Sequence, residues 1–355
     1  MHRYDPRRDY EWNYAAAPEA PYASAEDVPP VPGNWDYCGI PVASPLAVSA
    51  GPLLNGRWVL YYASLGFDVL TYKTVRSVAR ASYGMPNLQP VRVPPDWRSG
   101  GQPVRADDTM RGSWAVSFGM PSRPPDVWRS DVEATRKELP RGKVLSVSVV
   151  ATPRPGWGLA ELADDFATCA RWAVDSGADC VETNFSCPNV ATSDGQLYLN
   201  PADAGAVAER IRSRIQGTPL LVKIGHVSSA DLALQLVRAL APHADALVMV
   251  NCVPAEVADE RGHPLFDGQR RGIAGEAIRE AVLDQVRTFS VMAREYAPFL
   301  KRVGVGGIGT KHYVREFLAC GCHAVQLATA AMLDPGVGLR IRRELADTGA
   351  GARKD

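Results

Sequence analysis

The chain has 355 residues, and its 39 Lys and Arg against 39 Asp and Glu leave no formal net charge, which removes the electrostatic case for nucleic acid or an anionic membrane surface as the main partner. With 46% apolar and 22% charged residues it is composed like a globular protein with a large core. Seven scattered cysteines with no CxxC pair predict neither a disulfide framework nor a zinc or iron–sulfur site, so no metal is expected and a reducing cytoplasm is the simplest compartment.

The N-terminal stretch is charged and aromatic and lacks the apolar segment of a secretion signal, and no later run is long enough for a membrane span. Residues 1–36 carry Pro6, Pro18, Pro21, Pro29, Pro30 and Pro32, which predicts an extended arm outside the packed core. Tyr4, Tyr10, Trp12, Tyr14, Tyr22 and Trp35 give that arm apolar surface to hide. It is read as draped over the surface, with an oligomer contact or a cover over the active site as the sharper alternatives.

Eight apolar runs follow: 41–51, 68–74, 143–150, 178–184, 219–225, 245–251, 301–307 and 323–329. Most are separated by stretches with helical spacing. In 160–177, for example, Leu162, Phe166, Ala170, Ala173 and Val174 recur at intervals of three and four, and Gly177 ends the helix. Eight apolar strands alternating with helices predict an α/β fold, a closed (β/α)8 TIM barrel over 37–348, in preference to an open doubly wound sheet. The alternation is interrupted at 75–142, read as an insertion over the barrel mouth, and 349–355 reads as a flexible C-terminus.

In such a barrel, functional groups sit at the C-terminal ends of the strands. Lys73, Asn184, Lys223 and Asn251 occupy those positions, where a buried polar group without a partner would cost a few kcal/mol. Only seven of the 39 basic residues are lysines, and two of them stand here, either as ligand contacts or as structural ion pairs with barrel carboxylates. After the seventh strand, Gly304-Val305-Gly306-Gly307-Ile308-Gly309-Thr310 lets backbone N–H groups approach an anion, as does Ala328-Thr329-Ala330 after the eighth. Asn184-Phe185-Ser186-Cys187-Pro188-Asn189 places two carboxamides, a hydroxyl and a thiol in one short loop. The carboxamides suit an amide-edged ring such as a pyrimidine, and Cys187 is either a general base or an inert buried thiol.

This loop resembles the N-x-S-C-P-N active-site loop of the dihydroorotate dehydrogenase and dihydropyrimidine dehydrogenase superfamily. Further landmarks stand in the family's order over about residues 40–345: S-A-G-P, T-Y-K-T, V-K-I, V-N-C, R-G-I-A-G, G-V-G-G-I and Q-L-A-T. The resemblance implies FMN at the barrel mouth. Ala50, Gly51, Lys73, Thr74, Ser148, Asn184, Lys223 and Asn251 would lie around the flavin, and Gly275, Gly306, Gly307, Ala328 and Thr329 around its phosphate. It further implies a small dihydropyrimidine-like substrate held by Asn184, Asn189, Asn251, Cys252, Gly119 and Met120. Cys187, beside a catalytic Lys73, would remove the C5 proton while hydride passes from C6 to flavin N5. A cysteine base resembles the class 1 enzymes, which also implies a homodimer and, for an NAD-linked version, a separate electron-transfer subunit.

Three departures bear on the substrate. Val116 stands where the family has an asparagine, Cys252 replaces Ser or Thr, and His226, read as structural, follows Lys223 where proline is commoner. An apolar group facing a pyrimidine edge lowers discrimination for it. A flavin oxidoreductase acting on a different cyclic amide or activated alkene is therefore an alternative reading. A flavin-binding barrel without turnover is another, weakened by the presence of Lys73, Asn184, Cys187 and Lys223 together.

Overall fold

The computed structural model describes residues 1–19, 21–23, 27–98, 101–186 and 193–350. Eight parallel strands close into one barrel: β1 (Leu46–Val48), β2 (Val69–Val75), β3 (Val144–Val149), β4 (Cys180–Asn184), β5 (Leu220–Ile224), β6 (Ala246–Met249), β7 (Lys301–Val305) and β8 (Ala324–Leu327). Neighbours in the barrel are neighbours in sequence, and β8 returns to β1. All eight apolar runs therefore supply one barrel strand each. The run at 41–51 divides, because Ile40–Val42 pairs with Trp35–Tyr37 in a hairpin and only Leu46–Val48 enters the barrel.

The outer ring consists of α1 (Gly56–Ala63), α2 (Pro125–Glu138), α3 (Leu159–Asp175), α4 (Pro201–Ile215), α5 (Ala230–Leu240), α6 (Arg279–Tyr296), α7 (Lys311–Ala319) and α8 (Val337–Ala350). In α3, Leu162, Phe166, Ala170 and Ala173 are buried as the spacing predicts. Gly177 adopts φ +96°, a left-handed value that favours glycine and stops the helix.

Side chains alternate across a strand, so each strand sends every second residue into the barrel. At the N-terminal end this interior is apolar: Ala47, Val69, Val144, Cys180, Leu221, Ala246 and Ala324 pack around Tyr37, delivered by the hairpin. Further up five of the strands the same rows turn polar, at Ser49, Ser148, Glu182, Lys223 and Gln326, all buried. The barrel thus stacks an apolar plug beneath a polar layer, with the mouth above.

The stretch at 75–142 does not form one insertion. Leu88–Arg92, Val104–Ala106 and Ser113–Val116 are strands, whereas Pro125–Glu138 is the ring helix α2, with Pro at its first position as helix starts favour. The three strands pair with Val253–Ala255, Val257–Ala258 and Arg271–Gly275, which follow β6, to make a six-stranded cap sheet. That second contribution was not expected, because its short mixed segments carry no clear period.

The N-terminal arm corrects the expectation that 1–36 lies outside the packed core. Tyr10–Ala15 is a short helix, Tyr4 and Tyr10 are each only 3% exposed, and both join the main hydrophobic cluster. Asn13 ties the arm together, its amide donating to the carbonyls of Asp5, Arg8 and Asp9 while its oxygen accepts from the Asp5 N–H at 2.8 Å. The arm is anchored to α1: Trp58 Nε1 donates to the Asn13 carbonyl and Asn55 to that of Tyr14. Aromatic burial outweighs the extended bias of the prolines. At the other terminus α8 runs to Ala350, and residues 351–355 lie outside the described residues.

Candidate active site

The polar layer converges on one point. Lys223 Nζ donates to Ser49 Oγ at 2.7 Å, to Glu182 Oε1 at 3.3 Å and to Gln326 Oε1 at 3.3 Å. Gln326 Nε2 in turn donates to Glu182 Oε2 at 2.6 Å and to the Tyr37 hydroxyl at 3.4 Å. Glu182 reaches this place because β4 sends Cys180, Glu182 and Asn184 inward as alternate residues. Lys223 is therefore both readings at once, an ion pair with a barrel carboxylate and a cation at the floor of the mouth. Across the barrel, the hydroxyls of Thr74 and Ser148 are 2.9 Å apart.

Asn184 and Asn251 form the next step toward the mouth. Asn184 Oδ1 accepts from the Ser186 N–H at 3.1 Å and from Asn251 Nδ2 at 3.3 Å, and Asn251 also donates to the Ser186 carbonyl. Among the described residues the Asn184 amide nitrogen meets a thioether, Met120 Sδ, at 3.5 Å. Sulfur is a weak acceptor, so a ligand carbonyl there would be the better partner.

These residues line one cleft at the barrel mouth. Ala50, Gly51, Lys73, Thr74, Ser148, Asn184, Lys223, Asn251, Ala328 and Thr329 all face it, as do Gly119, Met120 and Cys252. A second limb continues from it past Asn251, Ala328 and Thr329, and is walled by Gly112, Gly275, Glu276 and the run Gly306–Gly309. Gly275 and Gly307 have φ of +96° and +69°. A Cβ on Gly275 would stand 2.1 Å from the Gly112 carbonyl oxygen, and one on Gly307 would stand 2.6 Å from Arg279 Cβ. Arg279 donates to the Gly307 carbonyl at 3.0 Å and places a positive charge behind this turn.

A side-chain-lined limb with lysines on its floor and a glycine-walled limb beside a cation fit a planar ring with an anionic tail, which is the shape of a flavin mononucleotide. Among the described residues no group of His, Cys, Asp and Glu is arranged to hold a metal ion, and no helix is long and apolar enough to cross a membrane.

The model of the dihydroorotate dehydrogenase family matches residues 35–348. The chain belongs to that family. Its members are FMN-dependent oxidoreductases acting on CH–CH bonds. Similar proteins include a dihydroorotate dehydrogenase of Dictyostelium discoideum, 30% identical over 321 residues that cover 86% of each chain. The catalytic subunit of an NAD(+)-type dihydroorotate dehydrogenase B of Desulforudis audaxviator is 28% identical over 312 residues, 86% of this chain and 89% of that one. A dihydroorotate dehydrogenase of Eimeria tenella, solved in complex with ferulenol, superposes with a TM-score of 0.73 at 16% identity, over 97% of this chain and 90% of that one, and so shares the fold.

Two of the family residues expected from the sequence, Cys187 and Asn189, lie outside the described residues. His226 does not face the main cleft. It lines a neighbouring hollow with Tyr198 and Arg270, burial lowers its pKa, and its carbonyl accepts from the Tyr198 hydroxyl at 3.3 Å. Sequence reasoning missed Ser49, Glu182 and Gln326. Glu182 carried a signal, a carboxylate inside a fully buried strand; Ser49 and Gln326 open the S-A-G-P and Q-L-A-T landmarks, which gave their place but no role for their side chains. It also missed the apolar wall of the cleft, in which Leu88, Trp114 and Phe118 join Val116.

Proposed function

We propose that this family member interconverts a dihydropyrimidine of the dihydroorotate type and its unsaturated counterpart. The observation that carries the reading is the convergence of Lys73, Asn184, Lys223 and Asn251 on one cleft that continues into the glycine-walled limb. When bound, FMN supplies a two-electron acceptor beside the substrate ring. Asn184 and Asn251 hold the amide edge of that ring and fix its face. Cys187, three residues beyond Asn184, takes the proton from C5 as hydride leaves C6, so that a conjugated ring results. Lys73 and Lys223 place positive charge where negative charge accumulates. The cap sheet and the loop carrying Gly119 and Met120 keep water from the reacting atoms.

The relative from Desulforudis audaxviator is a catalytic subunit, and this sequence has no cluster motif of its own, so an NAD-linked version would work beside a separate electron-transfer subunit. We further propose that it is a cytoplasmic homodimer, on the resemblance to class 1 enzymes.

A second reading is favoured by Val116 and Cys252, which face the cleft beside Leu88 and Trp114. On that reading the enzyme keeps the flavin and Cys187 but acts on a less polar cyclic amide or activated alkene. Anaerobic mixing of the FMN-loaded protein with dihydroorotate, then dihydrouracil, separates the two. Bleaching of the flavin absorbance by either supports the leading reading, and an unbleached sample supports the second. Cys187→Ala abolishes bleaching while FMN stays bound; full retained activity would remove cysteine as the base.

A further inference from the structure

We infer that Glu182 is a positioning residue that fixes Lys223 at the floor of the cleft and sets how much of its positive charge the cofactor feels. The inference rests on the proposed placing of the flavin over Lys223. Glu182 is completely buried, and both of its oxygens are committed, Oε1 to Lys223 at 3.3 Å and Oε2 to Gln326 at 2.6 Å. Gln326 is itself held by the Tyr37 hydroxyl inside the apolar plug. The carboxylate therefore cannot swing toward solvent, and the lysine cannot follow a ligand away from Ser49 without breaking a buried pair. From the cleft, whose lining includes both residues, the pair presents a dipole in place of a full positive charge.

The reduced cofactor carries more negative charge than the oxidised one, so the floor's net charge biases the redox balance. With Glu182 ionised, the floor is close to neutral and the bias is mild. Glutamine at this position keeps the shape and one hydrogen bond to Lys223 but removes the negative charge. The floor then becomes net positive and favours the reduced form. The surrounding layer is buried and poorly screened, so the effect is carried to the cleft with little loss.

The test is the reduction potential of the FMN-loaded enzyme, read spectroscopically against a reference dye. In Glu182→Gln the ratio of reduced to oxidised cofactor at a fixed potential is expected to rise about tenfold, which for a two-electron couple is about +30 mV. Glu182→Asp, which keeps the charge, is expected to stay within about threefold of the parent. In a Lys223→Met background the same Gln substitution is expected to produce no rise, since a buried carboxylate without its lysine is held neutral and Gln then removes no charge. A structural role alone would alter stability but leave the potential in place. A folded, FMN-bound Glu182→Gln with an unchanged potential overturns the inference. If Glu182→Gln does not fold, rescue of folding by Lys223→Met supports the pair, and a rise in potential in that double variant over Lys223→Met alone overturns the inference. A parent protein that refuses FMN overturns the functional reading with it, whereas a parent that binds FMN and is bleached by substrate isolates any failure to Glu182.

Discussion

Tyr10 of the N-terminal arm meets Phe118 edge-on, with ring centroids 6.0 Å apart and planes at 70°. Phe118 lines the cleft, one residue before Gly119 and Met120. Tyr4 approaches the same ring at 6.1 Å and 82°, and Arg123, just beyond the loop, pairs with Glu11 at 2.5 Å and lies 4.1 Å from the centre of the Tyr14 ring. The arm is thus a brace on the loop that carries the Asn184 partner Met120. Tyr10→Ala is expected to lower stability by about 3 kcal/mol, the cost of deleting a well-packed aromatic. It should also raise KM several-fold with a smaller change in kcat. Urea denaturation and steady-state kinetics check both, and a destabilised variant with unaltered KM would show that the brace does not reach the site.

This contact explains why the fold was more legible than the arm. Period-3.6 and continuous apolar patterns report burial over many residues, so every barrel strand and the helix carrying Phe166 were readable. The arm's α-helix Tyr10–Ala15 has six residues, too few for any period to show. Its fate depends on contacts to Trp58, Asn55 and Phe118, which are distant in sequence. The cap sheet was illegible after β6 for the same reason, since strands such as Val253–Ala255 are defined by partners from 88–116. In the site, Lys73, Asn184, Lys223 and Asn251 announced themselves as polar ends of apolar strands. Gln326 did not, because its importance comes from the closure that brings β8 against β1 and within reach of Glu182 across the barrel.

The glycine-walled limb depends on backbone that no other residue adopts easily. Gly307 has φ +69°, and a Cβ would meet Arg279 Cβ at 2.6 Å and the Gly275 carbonyl at 3.1 Å. Gly307→Ala is expected to displace the turn and weaken FMN binding by about 100-fold, equivalent to about 2.7 kcal/mol. Titrating apoprotein with FMN measures this directly. Retention of parental affinity would place the anionic tail elsewhere.

Val116 decides between the two substrate readings. It ends the strand Ser113–Val116, pairs in register with Leu88 and Gly272, and is half-buried against the cleft. Val116→Asn supplies a donor and an acceptor where the resemblance places them. If dihydroorotate is the substrate and Val116 merely weakens its binding, kcat/KM for dihydroorotate should rise by about 10-fold to 100-fold, or about 1–3 kcal/mol. If the cleft serves a less polar substrate, the same change leaves dihydroorotate turnover near zero and lowers turnover of the true substrate. Comparing kcat/KM for dihydroorotate in parent and variant distinguishes the outcomes.

Acid sensitivity is expected to arise from His323, at the N-terminal edge of β8. Its pKa is pushed down to about 4 from 6.5, first by burial and then by the nearby charges of Arg302 and Lys301, with Asp36 opposing them. Its Nδ1 accepts the Arg302 N–H at 3.3 Å, a bond that only the unprotonated nitrogen can make. Because the folded-state pKa lies below the unfolded one, the unfolded chain binds the proton more readily. The contribution is therefore fully present above about pH 6.5 and is lost as pH falls toward 4. The ring is only half-buried, so solvent screening reduces the loss to about 1–2 kcal/mol. His323→Gln keeps an acceptor for Arg302 without titrating. Relative to the parent, its unfolding free energy should gain about 1–2 kcal/mol between pH 7 and pH 4.5. Parallel pH profiles for the two proteins in urea denaturation would show that His323 does not carry this acid response.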